Sequence, residues 1–484
     1  MQRREALKTI GGLAGVAGLS RLVPACGSNN HEGSDGGGGG DGGGGDGGGG
    51  DDGGDAGKPV GITTYVFMMM ENRSYDHLFG ARSMLEGKPG DGPNPSTTLP
   101  DSMGKPVALW HPDKNNLCDL DPPHGWDSLR KSWNQGACDQ FVRVHQEEHN
   151  APTAIQPMQY LTRNEVPVSY ALADAYTTCD RWVCSLMGPT WPNRFYWHAG
   201  TSFGLKDNTL PTQLSPSIYH RLAAKGIDWA YYYSTVPVLA AITDIDVKKN
   251  VRRFSQFLGD ARDGTLPPVV YIDPAFAQND DHPPVHPILG QALITTVYKA
   301  LAASPQWQNI LFVLTYDENG GFYDHVSPPT MPDERAADGF NQLGFRVPAI
   351  VMGPYAKQGY VSSVQHEHTS PLRQLENVFG LEELTMRTAA ATDLTDCIDM
   401  DRLARGDWAP PIELPEINLA DWPMDDAQCT GTFREDHPIL AWADANRDRL
   451  GALDLRPELA DYKKTIIDFL KNPPKAVAKL PSPM

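Results

Sequence analysis

Ile62-Thr63-Thr64-Tyr65-Val66-Phe67-Met68-Met69-Met70 runs directly into Glu71-Asn72-Arg73-Ser74-Tyr75-Asp76-His77. The first nine residues carry no charge and no regular polar alternation, the pattern of a strand buried on both faces. Strands of that kind belong to parallel sheets covered by helices. The pattern recurs at Trp229–Tyr233, Val269–Ile272, Ile310–Tyr316 and Val347–Met352. Helical periodicity is clearest at Pro287–Ala303, Pro371–Phe379 and Lys463–Leu470. The expectation is one α/β domain over residues 59–475, with a mainly parallel sheet, flanking helices, long loops and a short tail at 476–484.

Composition agrees with that size. The chain has 484 residues, 40% hydrophobic and 21% charged, enough for one large domain or two ordinary ones. A disulfide miniprotein is excluded, and beyond the first 25 residues no apolar run is long enough to cross a bilayer. Residues 1–26 read as an export signal. Arg3-Arg4-Glu5-Ala6-Leu7-Lys8 is a twin-arginine pattern, and Val23-Pro24-Ala25-Cys26 resembles a lipoprotein cleavage box. Cys26 is then the lipidated mature N-terminus of a cell-envelope lipoprotein, with cleavage near Ala25 to a periplasmic or secreted protein as the alternative. Residues 27–58 are Gly/Asp-rich, hold 18 of the 47 glycines and bury nothing, so they read as a disordered tether.

The net charge is −19; residues 1–26 contribute +3 and residues 27–57 contribute −7, leaving −15 for the remainder. An acidic body repels a phosphate backbone, so nucleic acid is not an expected partner. A small phosphorylated substrate remains open, because a local metal ion reverses the field inside a pocket. Six cysteines follow Cys26, at 118, 138, 179, 184, 397 and 429. In an exported chain they allow up to three disulfides of undetermined connectivity.

The chemistry-bearing residues gather just past the strands, where open parallel sheets bind ligands. Glu71-Asn72 follows the first strand, Asp273 follows Val269–Ile272, and Asp317-Glu318 follows Ile310–Tyr316. Two adjacent acids repel unless a cation or proton lies between them. Glu71, Asn72, Asp317 and Glu318 are therefore candidate ligands of a divalent metal ion of unknown identity; a helix N-cap is the rival reading for the first pair. Gly188-Pro189-Thr190-Trp191-Pro192-Asn193-Arg194 stiffens the backbone around one hydroxyl. With a metal to lower its pKa, Thr190 is a candidate nucleophile; alone, the segment reads as a rigid turn. His124, His282, His325 and His368 are candidates for binding phosphoryl oxygens or protonating a leaving alkoxide.

Met69–His77, Gly188–Arg194, Tyr316–His325 and His368-Thr369-Ser370 together resemble the bacterial phosphoesterase family, which contains phosphatidylcholine-preferring phospholipases C of the non-hemolytic type and related acid phosphatases. The resemblance runs at intervals from about Ile62 to Asp396. It implies an alkaline-phosphatase-like core in which Glu71, Asn72, Asp317 and Glu318 hold the metal together with the nucleophile Thr190. It also implies that His124 and His282 serve the phosphoryl group. One departure is Asn319, where the family commonly has histidine. The expected activity is phospholipase C, with the membrane met through substrate and Cys26. An acid phosphatase is the alternative, and a non-catalytic surface lipoprotein the third reading. Trp229, Tyr231, Tyr232 and Tyr233 are either a cage for a choline headgroup or, more simply, strand core.

Overall fold

In the computed structural model, β1 (Thr64–Met70) lies inside an eight-stranded sheet whose other members are β2 (Thr177–Cys179), β3 (Trp229–Tyr233), β4 (Val251–Arg253), β5 (Val269–Ile272), β6 (Ile310–Tyr316), β7 (Ala349–Met352) and β8 (Tyr360–Ser362). The spatial order is β8-β2-β7-β6-β1-β5-β3-β4. Every pairing is parallel except those of β7, which is antiparallel to both β2 and β6. The structure describes residues 61–113, 117, 120–209, 214–237, 239, 249–418, 445 and 458–479. The signal, Cys26, the tether, Cys118 and Cys429 lie outside the described residues.

The α/β architecture expected from the apolar runs is the one observed. Val66, Phe67, Met68, Met69 and Met70 are each at most 1% exposed, a burial that stabilises by roughly 1.5–3 kcal/mol per side chain. On one face, Tyr65 meets Phe379 and Phe67 meets Trp197 edge-on. These rings belong to α4 (Ser370–Phe379) and α2 (Thr190–Ala199), whereas α1 (Tyr75–Met84) is the helix that comes after β1 in the chain. A second helical group packs around α3 (Pro287–Ala303), whose neighbours include α5 (Glu458–Lys471). Among the described residues, no helix is long and apolar enough to cross a membrane.

Some boundaries differ from expectation. The last expected strand begins at Ala349, not Val347, because Val347 turns its amide to the Trp182 carbonyl instead of the sheet. The final helix is longer than Lys463–Leu470. Three strands, β2, β4 and β8, carry no signal in sequence: each has three residues, too few for a period to register. Trp229, Tyr231, Tyr232 and Tyr233 are core, not a headgroup cage. They are at most 4% exposed, and Tyr232 donates to Asp260 at 2.5 Å.

His198, near the end of α2, is buried among Tyr219, Tyr231 and Tyr271, with Nδ1 2.9 Å from the Tyr219 hydroxyl. Burial, aided by the Arg194 guanidinium, pushes its pKa down to about 3. The folded chain thus keeps this ring neutral while the unfolded chain protonates it near pH 6.5, so its contribution falls as pH drops below 6.5. His198→Gln removes that dependence. In urea titrations at pH 7 and pH 4.5, the stability gap between variant and wild type is expected to shift by about 2–3 kcal/mol in favour of the variant. A gap unchanged with pH would contradict the neutral buried ring.

Candidate active site

Strand register brings the acidic residues together. Met70 is paired with Tyr316 and Met68 with Ile272. Glu71 and Asp317 therefore leave adjacent strands at the same level, and Asp273 leaves β5 nearby. Asn72 adopts a left-handed conformation at φ 59°, tolerable for Asn and rare for other side chains. That turn sends its amide to Asp317 Oδ1 at 3.0 Å. The loop after β6 closes against it so tightly that a Cβ on Gly320 would lie 2.3 Å from the Asn72 carbonyl oxygen. A Cβ on Gly321 would meet the Pro123 carbonyl at 2.7 Å. Both glycines have positive φ, and their bareness lets three separate motifs share one cavity wall.

Helix α2 supplies the other side. Thr190 is its first residue, preceded by extended Pro189 and 2% exposed. The Asn193 side chain braces the entry, donating to the Gly188 carbonyl at 2.9 Å and accepting from the Leu186 amide at 3.0 Å. One turn on, Arg194 faces the same way. Its Nη2 lies 3.2 Å from Glu71 Oε1, Nη1 3.3 Å from Asp273 Oδ1, and Nε 3.8 Å from Asp317 Oδ2. Nη2 also donates to the Met69 carbonyl at 3.2 Å. One guanidinium does not neutralise this many buried acids. Burial raises Glu71, Asp273 and Asp317 each to about 7 despite Arg194, and pushes Glu318 well above its ordinary value.

His124 and His282 stand side by side, ring centroids 5.6 Å apart. The Nε2 of His124 lies 3.5 Å from Asn72 Nδ2 and 4.0 Å from Glu318 Oε1. Burial pulls His124 down, but the Glu318 and Asp121 carboxylates outweigh it and hold its pKa at about 9. The ligand atoms of Asp121, His124 and His282 all lie within 4.8 Å of one another. The other two histidines sit elsewhere. His325 belongs to a separate network, 2.7 Å from Asp76 and 3.2 Å from Asp91, with Arg346 bridging Asp76 and Asp324. His368 approaches from behind, its Nε2 2.6 Å from the Asp317 backbone carbonyl. Burial drives it down to about 3, so it is a neutral donor that positions Asp317.

The residues fit a divalent cation. Asn72 Oδ1, Asp317 Oδ2 and Glu318 Oε1 are buried oxygens that accept no hydrogen bond, and Glu71 adds a further carboxylate beside Asp317. Buried hard oxygens with excess negative charge are what such an ion requires. Asn319 stands where the family commonly has histidine. Its Nδ2 donates to the Phe322 carbonyl at 2.9 Å and closes its own turn. Beside His124 and Pro189 opens a cavity of about 670 Å³, lined also by Trp126, Asp127, Lys206 and Asp207.

Arg194 is the residue whose role sequence reasoning missed. It was visible inside the rigid Gly188–Arg194 segment, four residues after Thr190, but only the helix and the sheet register reveal three carboxylates around it. Asp121 was likewise visible three residues before His124. The described cysteines, Cys138, Cys179, Cys184 and Cys397, are free thiols, which corrects the expectation of disulfides for these four.

The phosphoesterase family model matches residues 62–382. Phospholipase C A of Mycobacterium tuberculosis is 30% identical over 410 residues, 71% of this chain and 78% of that one. Non-specific phospholipase C6 of Arabidopsis thaliana is 30% identical over 399 residues, 74% of this chain and 75% of that one. Non-specific phospholipase C3 of the same plant is 29% identical over 409 residues, 74% of this chain and 77% of that one. With a matched span that holds every carboxylate, histidine and hydroxyl of the cavity, the chain belongs to the phosphoesterase family and is a hydrolase of phosphoric esters.

Proposed function

We propose that the chain is a phospholipase C, cleaving phosphatidylcholine-like lipids into diacylglycerol and a phosphorylated headgroup. The observation that carries this reading is the placement of Thr190 at the start of α2, one turn from an Arg194 that contacts Glu71 and Asp317. The Thr190 hydroxyl releases its proton to solvent and its oxygen attacks phosphorus. The P–O bond to glycerol breaks, and the departing alkoxide takes a proton from His124 or His282. Water then cleaves the phosphothreonine and frees the headgroup phosphate. The helix N-terminus favours the charge that develops on the phosphoryl oxygens. His124, kept protonated by its acidic neighbours, suits the same task. A divalent ion held by Glu71, Asn72, Asp317, Glu318 and Thr190 would supply positive charge that lowers the threonine hydroxyl's pKa.

The cavity beside His124 and Pro189 supports this choice of substrate class. Its lining sets two cations, Lys206 and the protonated His124, against Asp127 and Asp207, a balance that suits a zwitterionic diester over a dianionic monoester. Names of the similar proteins support the same choice. Export by the twin-arginine route and attachment through lipidated Cys26 belong to this proposal and would bring the enzyme to its substrate's surface.

Product analysis by mass spectrometry tests it. Purified protein incubated with phosphatidylcholine is expected to release diacylglycerol and phosphocholine. Chelation is expected to stop release, and a divalent ion to restore it. Hydrolysis of p-nitrophenyl phosphate with phosphatidylcholine left intact would replace this reading with a phosphomonoesterase. Inertness toward both in the metal-supplied protein would favour a binding role.

A further inference from the structure

Away from the oxygen-lined cavity, Cys179, His366 and Cys397 converge from three parts of the chain. Cys179 ends β2, Cys397 ends the short turn Thr395–Cys397, and His366 opens a two-residue strand paired with Trp182–Val183. All three side chains are fully buried. The two sulfurs are 3.8 Å apart, and Cys397 Sγ is 3.8 Å from His366 Nε2. All three ligand atoms lie within 4.8 Å of one another.

We propose that Cys179, His366 and Cys397 form a second metal site, one that takes a thiophilic cation of the Zn2+ kind and braces the fold. A tetrahedral ion with bonds of about 2.3 Å to sulfur sets its sulfurs about 3.8 Å apart. A disulfide draws them to about 2.0 Å and leaves the imidazole out. Two sulfurs and a nitrogen are a soft ligand set, unlike the oxygens around Glu71, so the two sites select different ions. The ligands are held in place by backbone. His366 donates its amide to the Arg181 carbonyl at 3.1 Å, and the Cys397 carbonyl accepts from the Lys357 amide at 3.0 Å and from Thr177 Oγ1 at 3.2 Å. Contact between the two thiols lowers Cys397, aided by His366, and raises Cys179 well above its ordinary value, so one sulfur is poised as thiolate and the other gives up its proton only when a metal binds. Binding releases the thiol protons to solvent and changes no oxidation state. The consequence reaches the active site through the chain itself. His366 lies two residues before His368, which holds the Asp317 carbonyl, so an ion here would fix the strand that positions a catalytic-cavity carboxylate.

The test uses the full chain, stripped of metal under reducing conditions and titrated with Co2+. Cobalt bound to thiolate gives a sulfur-to-metal charge-transfer band that oxygen ligands do not. The band is expected in wild type, in Cys138→Ser and in Cys184→Ser, and is expected to vanish in Cys397→Ser and Cys179→Ser. Zn2+ is expected to displace it and to raise the wild-type melting temperature. A wild-type chain with free thiols and no band overturns the proposal, and this holds even where the variants fail to fold. A cross-linked Cys179–Cys397 peptide from the native protein overturns it in favour of a disulfide. Loss of lipid cleavage with the band intact would instead count against the proposed function and leave this site standing.

Discussion

Thr190→Ala is expected to keep its fold and lose at least about ten-thousand-fold in kcat/KM on phosphatidylcholine. The substitution removes one oxygen and one methyl group at the first position of α2, and alanine is the best helix former, so the melting temperature should hardly move. What disappears is the atom proposed to form the bond to phosphorus. Binding and the cavity's charge remain, and they account for whatever rate survives. Thr190→Ser keeps the hydroxyl and is expected to retain activity within roughly tenfold of wild type. Steady-state kinetics on the three proteins, beside thermal melts, decide the matter. An alanine variant with more than about one percent of wild-type activity would remove Thr190 from the mechanism.

Arg194→Met carries the second large effect, this time on stability. The guanidinium is fully buried between Glu71, Asp273 and Asp317, and breaking such a cluster from one side typically costs about 3–5 kcal/mol. These carboxyls already sit near 7 with the arginine present, so without it they rise further. A folded-state pKa raised above the unfolded value means the native chain holds protons the unfolded chain has released, and stability then falls as pH rises. The destabilisation by Arg194→Met is therefore expected to be larger at pH 8 than at pH 5 in urea titrations. Excess divalent cation should recover part of it, by replacing the missing positive charge. Lysine is no substitute, since a single ammonium cannot reach two carboxylates and the Met69 carbonyl together. A loss independent of pH and of added cation would mean that Arg194 acts only by packing.

The contrast between Thr190 and Arg194 marks how much of the site could be read before folding. Thr190 stood out as a candidate nucleophile through the prolines and glycine around it, and Glu71, Asn72, Asp317 and Glu318 as candidate ligands through their position after uncharged strands. Strands β3, β5 and β6 and helix α3 have the bounds expected for them, because long apolar runs leave no competing arrangement. His124 and His282 stand side by side. His325 and His368 do not join them, because a histidine's neighbours across the fold leave no mark on the residues beside it in the chain. The same holds for the clustering of Cys179, His366 and Cys397, which are separated by up to 218 positions.

Local sequence alone determined that this chain forms a mainly parallel α/β sheet with acids at its strand ends, because burial on both faces requires uncharged strands and confines polar groups to their termini. Only the tertiary structure decided which acids meet. That choice rests on the register of β1 between β5 and β6, on the bare backbones of Gly320 and Gly321, and on the turn of α2 that sets Arg194 below Thr190. Each is a relation between segments far apart in the chain, fixed by packing and by hydrogen bonds across strands, and so it exists only once the sheet has closed.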